Sequence, residues 1–149
     1  MPRIAVAFLL DSRGHVLLQH RDEHAPRAAN QWGMVGGHVE DGEDFDTAIH
    51  REIAEETGLE TVPGDLTLWH EGEFSYADGH RSHYQVYAGR VEATDEDIVL
   101  GEGRAIVFVD PAQASGLDRA ESLAHFLPQF LDSDLYRRLC APADPPPLI

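Results

Sequence analysis

Apolar and polar positions alternate between two periods along the chain. The stretch IAVAFLL, Ile4 to Leu10, is almost continuously apolar and is followed by the turn signal DSRG and by HVLLQHR. This predicts a hairpin built on Ile4 to Leu10 and His15 to His20. DEHAPRAAN then reads as a polar loop, and QWGMVGG as a short strand ending in glycines. From about Phe45 to Thr57 the spacing turns helical, with Asp44 as N-cap and Gly58 as C-terminal stop. Two more strands fit DLTLWHEGEFSY and HYQVYAGRVEA, joined through ADGHRS, where Asp78 and Gly79 supply turn chemistry. A further strand, AIVFVD, runs from Ala105 to Asp110 and is broken by Pro111. RAESLAHFLPQFL carries Leu123, Phe126, Leu127 and Phe130 at helical spacing, and Pro128 should kink that helix or end it early. Strands, a helix, more strands and a second helix predict α/β layers around a mixed sheet. One domain is expected over residues 1–140, with the proline-rich end, 141–149, as a loose tail.

Length and charge narrow this picture. A chain of 149 residues suits one domain with a real core. A formal charge of -16 and a pI near 4.7 argue against a broad basic track for a nucleic-acid polymer or an anionic membrane surface. A phosphate-bearing ligand would need a bound cation or a local arginine. The single cysteine, Cys140, excludes a disulfide within the chain and a cysteine-held structural zinc, so a reducing, cytoplasmic setting is expected. The N-terminal apolar run is too short to span a bilayer and lacks a small-residue cleavage site.

The candidate chemistry lies in the acidic helix. At about 100° per residue with Phe45 at zero, Ile49 falls near 40°, Ala48 near 300° and Ile53 near 80°, which defines the core face. Glu52 and Glu56 fall within about 20° of Phe45, and Glu55 stands on the shoulder near 280°. Three carboxylates one turn apart therefore share a partly buried edge, where they repel one another. Burying unpaired carboxylates costs several kcal/mol, so a compensating cation is expected. All-oxygen donors suit Mg²⁺ or Mn²⁺, and Mg²⁺ recruits substrate phosphates to complete its octahedron. Gly36 and Gly37 let the backbone approach closely, so that a carbonyl there can join the donors.

Gly37, five residues, Glu43, seven residues and then REIAEETGL form one pattern, and it resembles the signature of the Nudix hydrolases at every defined position. The resemblance implies an α/β/α sandwich with a mixed central β-sheet and Mg²⁺- or Mn²⁺-dependent hydrolysis of a nucleoside diphosphate linked to another group. It implies Glu52, Glu55 and Glu56 as metal ligands, joined by the Gly37 carbonyl, with Glu43 supporting the site and Arg51 orienting the acids by salt bridging. Glu56 and Glu102 compete as the general base, because relatives often carry that base in the loop before the late strand. Arg21 stands where many relatives contact substrate phosphate.

The signature handles shared diphosphate chemistry and leaves the substrate to variable strands and loops. Trp32, beside the glycines, is a candidate stacking surface for a base, and Tyr76 stands near a tyrosine that dinucleoside polyphosphate hydrolases often carry. A nucleoside triphosphate or similar small nucleotide is favoured. Dinucleoside polyphosphate or nucleotide-sugar hydrolysis is the alternative, as is a non-catalytic nucleotide-sensing domain. Relatives often pair, so a homodimer is a further expectation.

Overall fold

The computed structural model describes residues 1–101 and 103–141. Strand β1 (Arg3–Leu10) explains the near-continuous apolar run at the N-terminus, because it lies inside the sheet and is covered on both faces. It pairs parallel to β5 (Arg81–Arg90) and antiparallel to β3 (Trp32–His38). With β2 (Val16–His20), β4 (Thr67–Ser75) and β6 (Ala105–Val109), the sheet order is β4-β5-β1-β3-β2-β6. The expected hairpin is largely absent. β1 and β2 meet at Leu10↔Val16, and β3 lies between them along the rest of their length. The tight turn survives because the Asp11 carboxylate accepts the backbone N–H groups of Arg13 and His15 at 2.9 and 3.0 Å.

Each face of the sheet carries a helical layer. Helix α1 (Phe45–Thr57) buries Ala48, Ile49 and Ile53 against Ala5, Ala7, Leu9, Val35 and Ile106. The short α2 (Pro111–Ala114) begins at the proline that ends β6, capped by the Asp110 carboxylate on the Ala112 N–H. On the opposite face, α3 (Glu121–Leu131) packs Leu123, Phe126, Leu127 and Phe130 on Ile4, Val6, Phe8, Leu18 and Met34. Helix α4 (Asp134–Cys140) adds Leu135 to this core. The architecture is an α/β/α sandwich around a mixed sheet.

Pro128 does not stop α3, which continues to Leu131. A proline inside a helix costs about 3 kcal/mol, whereas each of the four buried apolar side chains returns about 1.5–3 kcal/mol. The tail residues 142–149 lie outside the described residues.

Candidate active site

Helix α1 is fixed at both ends. The Asp44 carboxylate accepts the Thr47 N–H at 2.7 Å, and Gly58, at φ 76°, donates its N–H to the Ala54 carbonyl. The loop before it is tied down by Arg3, whose guanidinium reaches the carbonyls of Glu43 and Glu40, each at 3.0 Å. These anchors lay one edge of α1 beside the glycine end of β3.

Arg51 is the centre of that edge. Its Nε and Nη2 donate to the two oxygens of Glu43 at 2.8 and 2.9 Å, a fork that fits a carboxylate. Nη1 reaches Glu52 at 3.0 Å and Glu55 at 3.2 Å, and Nη2 also donates to the His38 carbonyl at 3.1 Å. Glu40 lies 3.8 Å away. The Arg51 guanidinium, helped by the Glu40 N–H, holds the Glu43 carboxyl down at about 2. In return Glu43, followed by Glu52, raises the Arg51 pKa against the opposing effect of burial.

Glu52 behaves differently. Its side chain is 14% exposed, and burial pushes its carboxyl above the ordinary range even though Arg51 pulls the other way. Glu56 accepts the Gly36 N–H on Oε2 at 3.0 Å. Glu55 corrects the helical-wheel expectation: at 60% exposure its side chain faces solvent. Gly37 abuts Glu52 so closely that a Cβ there would stand 2.8 Å from the carboxylate carbon.

One guanidinium thus serves Glu43, Glu52, Glu55 and Glu40, which leaves a local excess of negative charge. Among the described residues no three acids already converge into a cage for a metal ion. The donor set nevertheless fits a hard divalent cation. The candidate ligands Glu52, Glu55, Glu56 and the Gly37 carbonyl all offer oxygen, and burial disfavours the charged form of Glu52 more than Arg51 favours it. Glu102 lies outside the described residues.

A cleft of about 960 Å³ opens on this edge and is lined by Gly37, Arg51, Glu52, Glu55 and Glu56 at one end. Arg21 lines it as well, packed over Gly33, with Nε donating to the Arg27 carbonyl at 2.9 Å. That bond leaves the Nη donors of Arg21 able to meet an anion. Tyr76 also lines the cleft, but Arg27 lies over its ring at 4.1 Å and Phe74 meets it edge-on. Trp32 is not among the lining residues: its ring is stacked on His20 at 4.7 Å, and its backbone is tied to Asp118 and Ala120. Arg27 and Ser82, which line the cleft, carried no sequence signal beyond membership of a polar loop and of the ADGHRS connection, whose last two residues the structure places in β5. Among the described residues no helix is long and apolar enough to cross a membrane.

An acid-edged, arginine-braced cleft on an α/β/α sandwich defines a protein that handles phosphoanhydrides. The family model described as NUDIX domain matches residues 1–130. The nucleoside triphosphatase NudI of Salmonella agona is 28% identical over 132 residues, covering 84% of this chain and 94% of that protein. The MutT protein of Methanosarcina mazei superposes with a TM-score of 0.69 at 24% identity, over 93% of this chain and 91% of its own. The dihydroneopterin triphosphate pyrophosphohydrolase of E. coli gives 0.66 at 26% identity, over 86% of this chain and 93% of that one. The chain belongs to the Nudix family. It is a Nudix pyrophosphohydrolase, a hydrolase of phosphoanhydride bonds in nucleotide-like substrates, and that family typically requires Mg²⁺ or Mn²⁺.

Proposed function

We propose that this chain hydrolyses a nucleoside triphosphate or a similar small nucleotide, releasing a mononucleotide. One observation carries the reading: a single continuous cleft joins the acid edge of α1 to Arg21 and then to a floor of Ile4, Val6 and Met34. That is room for a polyphosphate beside the acids and for one base on that floor. The likeness to a nucleoside triphosphatase, and to a hydrolase of a pterin triphosphate, supports the same substrate class.

In this reading Glu52, Glu55 and Glu56, with the Gly37 carbonyl, hold the divalent cation. When bound, the cation neutralises diphosphate oxygens and lowers the pKa of an attacking water. Glu43 acts through Arg51, which keeps the neighbouring carboxylates turned to one edge. Arg21 presents its Nη donors to a phosphate oxygen. A carboxylate, Glu56 or Glu102, accepts the proton of the water as its oxygen bonds to phosphorus. The bridging P–O bond breaks, and its electrons leave with the departing group, which is pyrophosphate when water attacks the α phosphorus and the mononucleotide when it attacks the β phosphorus.

The test is a screen of nucleoside triphosphates, oxidised nucleotides, nucleotide sugars, ADP-ribose and dinucleoside polyphosphates with Mg²⁺ and Mn²⁺, with the products identified. Turnover confined to nucleotide sugars or dinucleoside polyphosphates would sink the proposal. On the preferred substrate Glu56→Gln should lose at least about 10³-fold in rate. Full activity in that variant removes Glu56 from the machinery, while a comparable loss in Glu102→Gln with cation binding intact makes Glu102 the base.

A further inference from the structure

The same cleft holds a polar group that the fold itself does not use. Ser82, on β5, is 5% exposed, and its hydroxyl has no hydrogen-bond partner among the described residues. Leaving a buried hydroxyl unmatched is unfavourable, and native proteins seldom do so without cause. No fully sealed side-chain oxygen lacks a partner among the described residues, so the Ser82 hydroxyl reaches the cleft that its residue lines.

The neighbouring hydroxyls are already engaged. The phenols of Tyr76 and Tyr84 are hydrogen-bonded to each other, and Ser122 interacts with Tyr84. The aromatic faces are engaged too. Arg27 covers the Tyr76 ring, and the buried Tyr84 ring is packed against Phe74 and Phe126. A flat ring entering this space therefore meets the aliphatic floor of Ile4, Val6 and Met34, with Ser82 beside it. A serine hydroxyl both donates and accepts, so it can pair with a ring carbonyl, a ring nitrogen or an amino group.

We propose that Ser82 is the base-reading residue of this chain: the heteroaromatic base of the substrate lies on Ile4, Val6 and Met34 and hydrogen-bonds along its edge to the Ser82 hydroxyl. Discrimination between nucleotides then comes from one hydrogen bond on β5 instead of from an aromatic stack. This deepens the proposed function and rests on the substrate being a nucleotide. A polar site that loses its match discriminates more sharply than an apolar pocket that loses a methylene.

The test compares wild type, Ser82→Ala and Ser82→Cys. Calorimetry with Mg²⁺ gives Kd for the four common nucleoside 5′-monophosphates and for ribose 5-phosphate, which lacks a base. Steady-state kinetics give KM and kcat for the triphosphates. Ser82→Ala should weaken the preferred monophosphate by about 5- to 10-fold, the worth of one net hydrogen bond. Its advantage over the other bases should collapse, and ribose 5-phosphate should bind as before. Ser82→Cys, with a weak S–H donor, should fall between, and the loss should appear in KM more than in kcat. Equal weakening of all five ligands, or an undiminished base preference in Ser82→Ala, overturns the assignment. If no nucleoside triphosphate is turned over, the proposed function falls by itself, because the monophosphate preference is read without turnover.

Discussion

Replacing Gly37 by alanine probes how tightly β3 holds the acids of α1. The added Cβ would stand 2.8 Å from both Cδ and Oε1 of Glu52 and 2.9 Å from Oε2. Favourable carbon contacts lie at about 3.5 Å, so the Glu52 carboxylate must retreat by roughly 0.7 Å. A misplacement of about 1 Å costs about 10²-fold in rate, which scales to about 10- to 30-fold here. Gly37 does not have a left-handed φ, so the alanine brings no backbone strain and should leave the melting temperature close to wild type. Two other glycines calibrate this. At Gly36, φ is 139° and a Cβ would lie 2.1 Å from the Ala5 carbonyl oxygen, so Gly36→Ala must push β1 and β3 apart and should unfold or grossly destabilise the chain. At Gly42, φ is 80° and no atom lies within 4 Å of the added Cβ, so Gly42→Ala should lose only about 1–2 kcal/mol of stability. Its kcat should be preserved. The assay is kcat and KM on the substrate that the screen identifies, beside thermal melts of all three variants. Wild-type kcat in Gly37→Ala would refute the idea that contact with β3 sets the position of Glu52.

Arg51→Lys removes the fork on Glu43 and replaces it with an ammonium that cannot serve Glu43, Glu52 and Glu55 together. It should cost about 10- to 100-fold in kcat with a smaller change in KM, and an NMR titration should show the Glu43 carboxyl rising from about 2 toward its ordinary range. An unmoved Glu43 titration would show that the guanidinium is not what holds it down. Asp11→Ala strips the acceptor from two backbone N–H groups and from the Arg13 guanidinium, and should destabilise the chain by about 1–3 kcal/mol at neutral pH. Burial pushes the Asp11 carboxyl up, but the Arg13 and His15 hydrogen bonds outweigh it and the net direction is down. Its contribution is therefore present above the ordinary carboxylate pKa and lost as pH falls through the lowered one. Denaturant unfolding of wild type and Asp11→Ala should converge toward acid, and a gap that widens instead would contradict the sign.

The local parts of this fold were legible because each rests on residues close together in the chain. The limits of α1 follow from Asp44, Gly58 and one amphipathic period, and the acid edge follows from residues within a few turns of one another. Pairing was harder. The DSRG turn marks the ends of β1 and β2, but nothing near it announces that β3 comes in between. Helix α4 is seven residues long, too short for a period to emerge, and depends on the Ser133 cap and on packing of Leu135. In the cleft, Arg51 was readable from its motif. The cover that Arg27 places on Tyr76 joins residues far apart in sequence, and Ser82 reads as the end of the ADGHRS connection until β1 and α3 are laid beside it.

Charge ties these parts together. With a formal charge of -16, the chain repels the polyanion it acts on, and all eleven of its basic side chains other than histidine are arginine. Arg21, Arg27, Arg51 and Arg81 line the cleft, but three of the four are already paired: Arg51 with the acids of α1, Arg27 with Tyr76 and Asp78, and Arg81 with Glu73. The protein's own cations therefore position carboxylates and walls more than they attract phosphate. Attraction is left to the divalent cation that the carboxylates can hold, so the field that draws in the polyphosphate is present only when that cation is. The same division of labour explains how an acidic surface can coexist with phosphate chemistry: selectivity for the base can rest on neutral groups such as Ser82, distinct from the charges that hold the phosphates.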